Sequence, residues 1–186
     1  MPKALSDMAA EVAAYQVEKG WTEERSISAS LELLHEEASE AGRAWRKWGL
    51  ADHTLGVAAA TPDGHWRAEP EGVGSELADV VIRLLDTSNR HGLGLPDRAA
   101  VHDVGTFVFA GESDFLDDIN VLHNLISRAS FAYSETGTEG LAMALLQVFG
   151  YVHRLARHYK FNLAFEYERK MKYNALRDFR HGGRKL

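Results

Sequence analysis

TEERSISASLELLHEEASEAGRAWRKW, residues 22–48, carries apolar side chains at Ile27, Leu31, Leu34, Ala38, Ala41, Trp45 and Trp48. Steps of four and three alternate without a miss, which is the seam of a helix packed in a bundle. Thr22 is the expected N-cap, with Glu23 and Glu24 in the first turn, where the helix dipole favours negative charge. Gly49 is the expected stop, after Arg46 and Lys47 in the last turn. The same stretch holds Glu36-Glu37-Ala38-Ser39-Glu40. Like charges three and four residues apart repel at a cost of roughly 0.2–0.5 kcal/mol per pair, so such a concentration asks for a reason. At about 100° per residue, Glu37 sits roughly 60° from the centre of the seam. Glu40 lies further round the same flank, beside Leu33 and Ala44, and Glu36 points further out. Glu37, and to a lesser degree Glu40, are therefore expected to be partly desolvated, which is costly without a cation.

Outward from this helix, the chain reads as further helices separated by glycine- and proline-rich segments. Residues 6–18 form one, capped by Ser6 or Asp7 and ended at Gly20; residues 75–91 form another, with a broad face of Leu77, Ala78, Val80, Val81, Ile82, Leu84 and Leu85. Three more cover 114–135, 138–159 (Thr138 as cap) and 164–178. Residues 49–74 are an insertion or loop, in which Pro62-Asp63-Gly64 sets up a small hairpin of 57–60 with 65–68. Residues 92–113 are a connector with a short helix after Pro96, and 179–186 are a mobile tail. The expected architecture is an all-α helical bundle. The 186 residues suit one domain, or two small repeats fused. The net charge of −6 argues against a protein built to coat nucleic acid. With no cysteine, disulfides, iron–sulfur clusters and cysteine–zinc sites are excluded. No apolar run is long enough to span a bilayer and the N-terminus lacks an apolar signal core, so the expectation is a soluble cytoplasmic protein without membrane partners.

The chain also resembles itself. Glu71 through Leu95 aligns without a gap on Glu139 through Leu163, and Leu34-His35 with Ser39 aligns on Leu122-His123 with Ser127. The reading is a fused tandem repeat, a pseudo-dimer, with one copy over about 22–110 and a degenerate one over about 114–178. Two amphipathic helices that match by pattern alone would give a similar, weaker signal. Under the alignment Glu36, Glu37 and Glu40 become Asn124, Leu125 and Arg128, while Glu76 and Asp79 become Ala144 and Gln147. The second copy keeps the packing pattern and loses every carboxylate of interest.

Carboxylates on two packed helices make an oxygen-only site, which suits a hard cation such as Mg²⁺ or Mn²⁺. Such an ion bridges phosphate oxygens and activates water. Taken alone, Glu76 and Asp79 also read as a solvated face, with Asp79–Arg83 and Asp86–Arg90 as ordinary i,i+4 ion pairs. Lys170, Asn174 and Arg177 recur at steps of four and three, which puts a phosphate-binding set on one face; a basic helix end favoured by the dipole is the plainer reading. Trp21, Trp45, Trp48 and Trp66 offer rings for a base, with Trp45 and Trp48 more at home in the core because they lie on the seam. Glu32-Leu33-Leu34-His35 is an ExxH of the di-iron type, but no second ExxH exists to complete such a site. His35 is expected to be packed or hydrogen-bonded.

At these residues the chain resembles the MazG-like, all-α nucleoside triphosphate pyrophosphohydrolases, whose EExxE matches Glu36–Glu40 and whose ExxD matches Glu76–Asp79. Lys170-Met171-Lys172-Tyr173-Asn174 with Arg177 also looks like the family, and Arg180-His181-Gly182-Gly183 looks like phage-type members. The resemblance implies house-cleaning hydrolysis of a nucleoside triphosphate to monophosphate and pyrophosphate by water attack at the α-phosphorus. It implies that Glu37, Glu40, Glu76 and Asp79 hold Mg²⁺, that Glu36 is an accessory ligand or orients the water, and that Lys170, Asn174 and Arg177 hold the phosphates. One departure stands out. The first copy has His102 and Thr106 where the second has Lys170 and Asn174, so a single composite site per chain is expected, in a monomeric pseudo-dimer or a homodimer. Guanosine alarmones are a further substrate class, and a catalytically silent nucleotide-binding bundle is the alternative.

Overall fold

In the computed structural model, residues 3–50, 70–95 and 114–177 are described. Five helical elements run in order: α1 Leu5–Glu18, α2 Ile27–Trp48, α3 Val73–Arg90, α4 Phe115–His158 and α5 Leu163–Leu176. No strand occurs among the described residues, and none of their helices is long and apolar enough to cross a membrane. The hairpin expected within 57–68, the helix after Pro96, Trp66, His102, Thr106 and the tail lie outside them.

The seam of α2 is buried where the sequence places it. Leu31, Leu34, Ala38 and Ala41 are in the core, and Ile27, Trp45 and Trp48 pack against it from the two ends. The start of α2 differs from expectation. Ser26, not Thr22, is the N-cap, its Oγ accepting from the Ala29 N–H at 3.1 Å. Residues 22–25 stay out of the helix because α3 claims them: Arg90 donates to the Glu23 carbonyl at 2.7 Å, and Arg25 pairs with Asp86 at 3.1 Å. Nor is α1 capped by Ser6 or Asp7; it begins after Ala4 without a side-chain cap.

The most enclosed helix is α3. Leu77, Ala78, Val80, Val81, Leu84 and Leu85 are all essentially inaccessible, and α1, α2, α4 and α5 all pack on it. Its first turn is approached closely by α5: a Cβ on Gly74 would sit 3.0 Å from Glu166 Cγ and 3.4 Å from Phe161. This close approach brings α5 against the acidic side of α3.

The two helices expected over 114–159 form one run broken at Gly137, whose φ of 67° and ψ of −144° are not helical. A straight helix would hold residues 118 and 151 about 50 Å apart at about 1.5 Å per residue. Instead, Asp118 accepts hydrogen bonds from both Tyr151 and Tyr159, and Phe115 meets Tyr159 edge-on at 5.2 Å. The two arms therefore fold back on one another about Gly137. Asp118 is buried, and its two tyrosine donors supply the partners that a buried carboxylate needs.

Several details recur at the spacings, 88 and 68 residues, of the repeat expected from the sequence. His35 and His123, 88 residues apart, stack with centroids 5.1 Å apart and Nδ1 atoms 2.8 Å apart. One turn on, Ser39 Oγ donates to the His35 carbonyl and Ser127 Oγ to that of His123, at 2.8 and 2.9 Å. The N-caps Ser26 and Asp114 stand in the same relation. So do the contacts Ser30–His91 and Asp118–Tyr159. Past the helix ends, Gly92 (φ 61°) corresponds to Lys160 (φ 60°), the one non-glycine residue with positive φ among those described. The Leu93 N–H to Ser88 bond is repeated as Phe161 to Ala156, both at 3.0 Å.

The φ and ψ of Gly137 fall where side chains with a Cβ are strained. Gly137→Ala is expected to cost roughly 1–3 kcal/mol, measured by urea unfolding; an unchanged midpoint and slope would show that the fold-back needs no glycine.

Candidate metal centre

Glu37 flanks the α2 seam one position before Ala38, so packing against α3 buries it at 9 % exposure. Glu76 and Asp79 are one turn apart on α3 and face the same way, as residues three apart on a helix do. One carboxylate oxygen from each of Glu37, Glu76 and Asp79 can be chosen so that all three lie within 4.8 Å of one another. An expected fourth member, Glu40, lies at the rim: its side chain is 45 % exposed and pairs with Arg43 at 3.3 Å. Glu36 is exposed.

Two cations are built into the cluster. Lys170, on α5, is 2 % exposed and places its Nζ 2.6 Å from Asp79 Oδ2 and 3.8 Å from Glu76 Oε2. Arg83 Nε donates to Glu37 Oε1 at 2.9 Å. The i,i+4 partner expected for Arg83 was Asp79; across the helix interface Arg83 engages Glu37 instead, leaving Asp79 to Lys170. The pairing of Asp86 with Arg90 is as the spacing suggests, at 2.8 Å.

The other expected ligand-binding residues are distributed less tightly. Asn174 is buried on α5, on the same side as Lys170. Arg177 follows the helix as its C-cap, its guanidinium 5.6 Å from the centre of the Tyr173 ring. The Tyr15 hydroxyl is pushed up by burial, with Arg177 and Arg83 opposing and Asp79 reinforcing the shift. Tyr15 on α1 thus borders the same electrostatic region, a neighbour that helix spacing within α2, α3 and α5 gives no signal for. Trp21, expected to offer its ring to a base, is 4 % exposed in the α1–α2 connection, and its carbonyl accepts from Arg90 at 2.7 Å. Trp45 packs on Phe115 at 5.4 Å. His35 is packed on His123, as expected, and Glu32 is exposed, so the ExxH pattern does not gather into a metal site.

Burial without enough positive charge raises the proton affinity of these acids. Desolvation, then the Asp79 charge, pushes Glu37 up to about 7 against the opposing pull of Arg83. Desolvation also pushes Glu76 up to about 8, opposed by Lys170 and reinforced by Asp79, Glu40 and Glu37. For Arg83, burial acts to lower the value, but Glu37 and Asp79 outweigh it and the guanidinium is held above its ordinary range. Carboxylates that hold protons so far above their usual range sit where more positive charge would be welcome. Glu37, Glu76 and Asp79 can hold a metal ion, and their all-oxygen donor set fits a hard divalent cation.

No family model, curated protein or solved structure matches the chain.

The folded-state proton affinity of Glu76 exceeds that of an unfolded glutamate, so its favourable contribution is complete below the unfolded value and is lost as pH rises through about 8. In metal-free protein, the Tm of Glu76→Gln minus that of the wild type is expected to grow between about pH 5 and about pH 8.5 and then level off. A difference independent of pH would show that Glu76 is not held protonated.

Proposed function

We propose that this chain is a divalent-metal-dependent nucleoside triphosphate pyrophosphohydrolase of the MazG-like, all-α kind. The observation that carries the reading is the meeting of Glu37 with Glu76 and Asp79, one from the EExxE-like stretch and two from the ExxD-like stretch, beside Lys170. Glu37, Glu76 and Asp79 would hold Mg²⁺ or Mn²⁺, with Glu40 joining from the rim. The ion would supply neutralisation of the phosphate oxygens and activation of water. Glu36, next in the chain to Glu37 and exposed, would be an accessory ligand or would orient the attacking water. Lys170, Asn174 and Arg177 would hold the phosphates of the leaving pyrophosphate.

The matched details of the fold support a fused repeat with a pseudo-twofold axis between α2 and the first arm of α4. At such an axis a residue meets its own counterpart, as His35 meets His123. Ser30–His91 and Asp118–Tyr159 are then one contact made twice, with different chemistry. On this reading the acids belong to the first repeat, while Lys170 comes from α5 in the second. The site is composite and single, because Leu125, Ala144 and Gln147 stand where Glu37, Glu76 and Asp79 would recur.

A nucleotide-binding bundle without turnover is the second reading, favoured by the ion pairs that already neutralise part of the cluster. A panel of deoxynucleoside and nucleoside triphosphates and guanosine alarmones with Mg²⁺, assayed for pyrophosphate release, separates the two. Turnover of one class is expected, with Glu37→Gln and Asp79→Asn each losing more than the roughly 10–100-fold typical of groups that merely surround a metal. A mixture of Glu37→Gln and Lys170→Ala should stay inactive; recovered activity would place the two residues in different chains of one site. Binding without hydrolysis across the panel would favour the second reading.

A further inference from the structure

The position of Lys170 is not that of a side chain waiting for phosphate. Its ammonium is enclosed, 2 % exposed, and lies 2.6 Å from Asp79 and 3.8 Å from Glu76, two of the three carboxylates whose oxygens converge. Asp79 therefore already carries one positive charge at hydrogen-bond distance. A divalent ion bound through Asp79 and Glu76 would lie a few ångströms from that ammonium, and at such a distance like charges repel strongly in a site with little water. The two cations compete for the same oxygens.

We infer that Lys170 is a resident counter-ion of the acidic trio, exchanged for the divalent cation when the metal binds and thereby released toward the anionic ligand. The inference rests on the metal reading of Glu37, Glu76 and Asp79 and deepens it. Lysine suits the exchange. Its charge sits at the end of a flexible four-carbon stem, so it can leave one oxygen and reach another without moving α5. Arg83 is differently placed: its hydrogen bond goes to Glu37, through Nε, and it remains as the fixed partner of that carboxylate. Metal loading and phosphate recruitment are then one event. Without the metal, the ammonium holds Asp79 and Glu76 together and is withheld from solvent; with it, the ammonium is free to pair with a phosphate.

Two measurements test this without using activity. The first is Mn²⁺ affinity, followed by the electron paramagnetic resonance of the free ion, for wild type and Lys170→Met, which keeps an apolar stem and removes the charge. The variant is expected to bind Mn²⁺ about tenfold tighter or better. The second is acylation of Lys170 in the wild-type protein, read by peptide mass spectrometry, with the exposed Lys172 on the same helix as internal reference. Lys170 should be protected without Mn²⁺ and become reactive at saturating Mn²⁺, while Lys172 is unchanged. If Lys170→Met fails to fold, the acylation result decides. Wild-type protein that binds Mn²⁺ with Lys170 still protected overturns the exchange while leaving the metal site standing, as does a folded variant that binds no tighter. No Mn²⁺ binding by the wild type overturns the metal reading and the exchange with it.

Discussion

Three carboxylates brought within 4.8 Å of one another in a helix interface cannot all stay charged unless positive charge is brought in with them. That constraint orders much of this protein. It accounts for the direction of Arg83, which crosses from α3 to Glu37 on α2. It accounts for the burial of Lys170, an otherwise expensive side chain to enclose, against Asp79. It also accompanies the close approach of α5 to α3, where a Cβ on Gly74 would press on the Glu166 side chain at 3.0 Å, and Lys170 is carried on that same helix.

A second group of ion pairs lies at the other end of α3. Asp86 is buried between Arg25 and Arg90, and Arg90 holds the carbonyls of Trp21 and Glu23. These contacts fix the α1–α2 connection in a non-helical path. The acidic trio differs in kind from Asp86, which has two guanidinium partners to itself. The trio shares one guanidinium and one ammonium among three carboxylates, and Glu37 and Glu76 keep raised proton affinities as a result. One end of α3 pairs a single carboxylate with two guanidinium groups; the other gathers three carboxylates that could hold a metal ion.

The fold-back at Gly137 and the stacked histidines set several contacts of the bundle at the spacings of the proposed repeat. Ser30–His91 and Asp118–Tyr159 occupy matching places with unrelated chemistry, so packing position survives changes in side-chain type. The acids have no such counterparts. Leu125 is buried where Glu37 has its match, and Ala144 where Glu76 has its own.

Much was legible in the sequence because helical periodicity is a local property. The seam from Ile27 to Trp48 determined which face of α2 turns inward, and thereby that Glu37 lies closer to the core than Glu40 or Glu36. The all-helical class, the break near residue 137 and the grouping of Glu76 with Asp79 follow from the same kind of reading. What the tertiary structure decided concerns partners drawn from other helices. Ser26 displaced Thr22 as the cap because Arg90 and Arg25 reach the preceding segment from and toward α3. Arg83 chose Glu37 over its own neighbour Asp79, and Trp21 went into the core. Lys170, whose spacing with Asn174 and Arg177 suggested a phosphate face, was turned onto the acids. Sequence spacing specifies where a side chain leaves its own helix; which charge it meets depends on the distance between helices, and Coulomb energy in a dry interface is set by that distance.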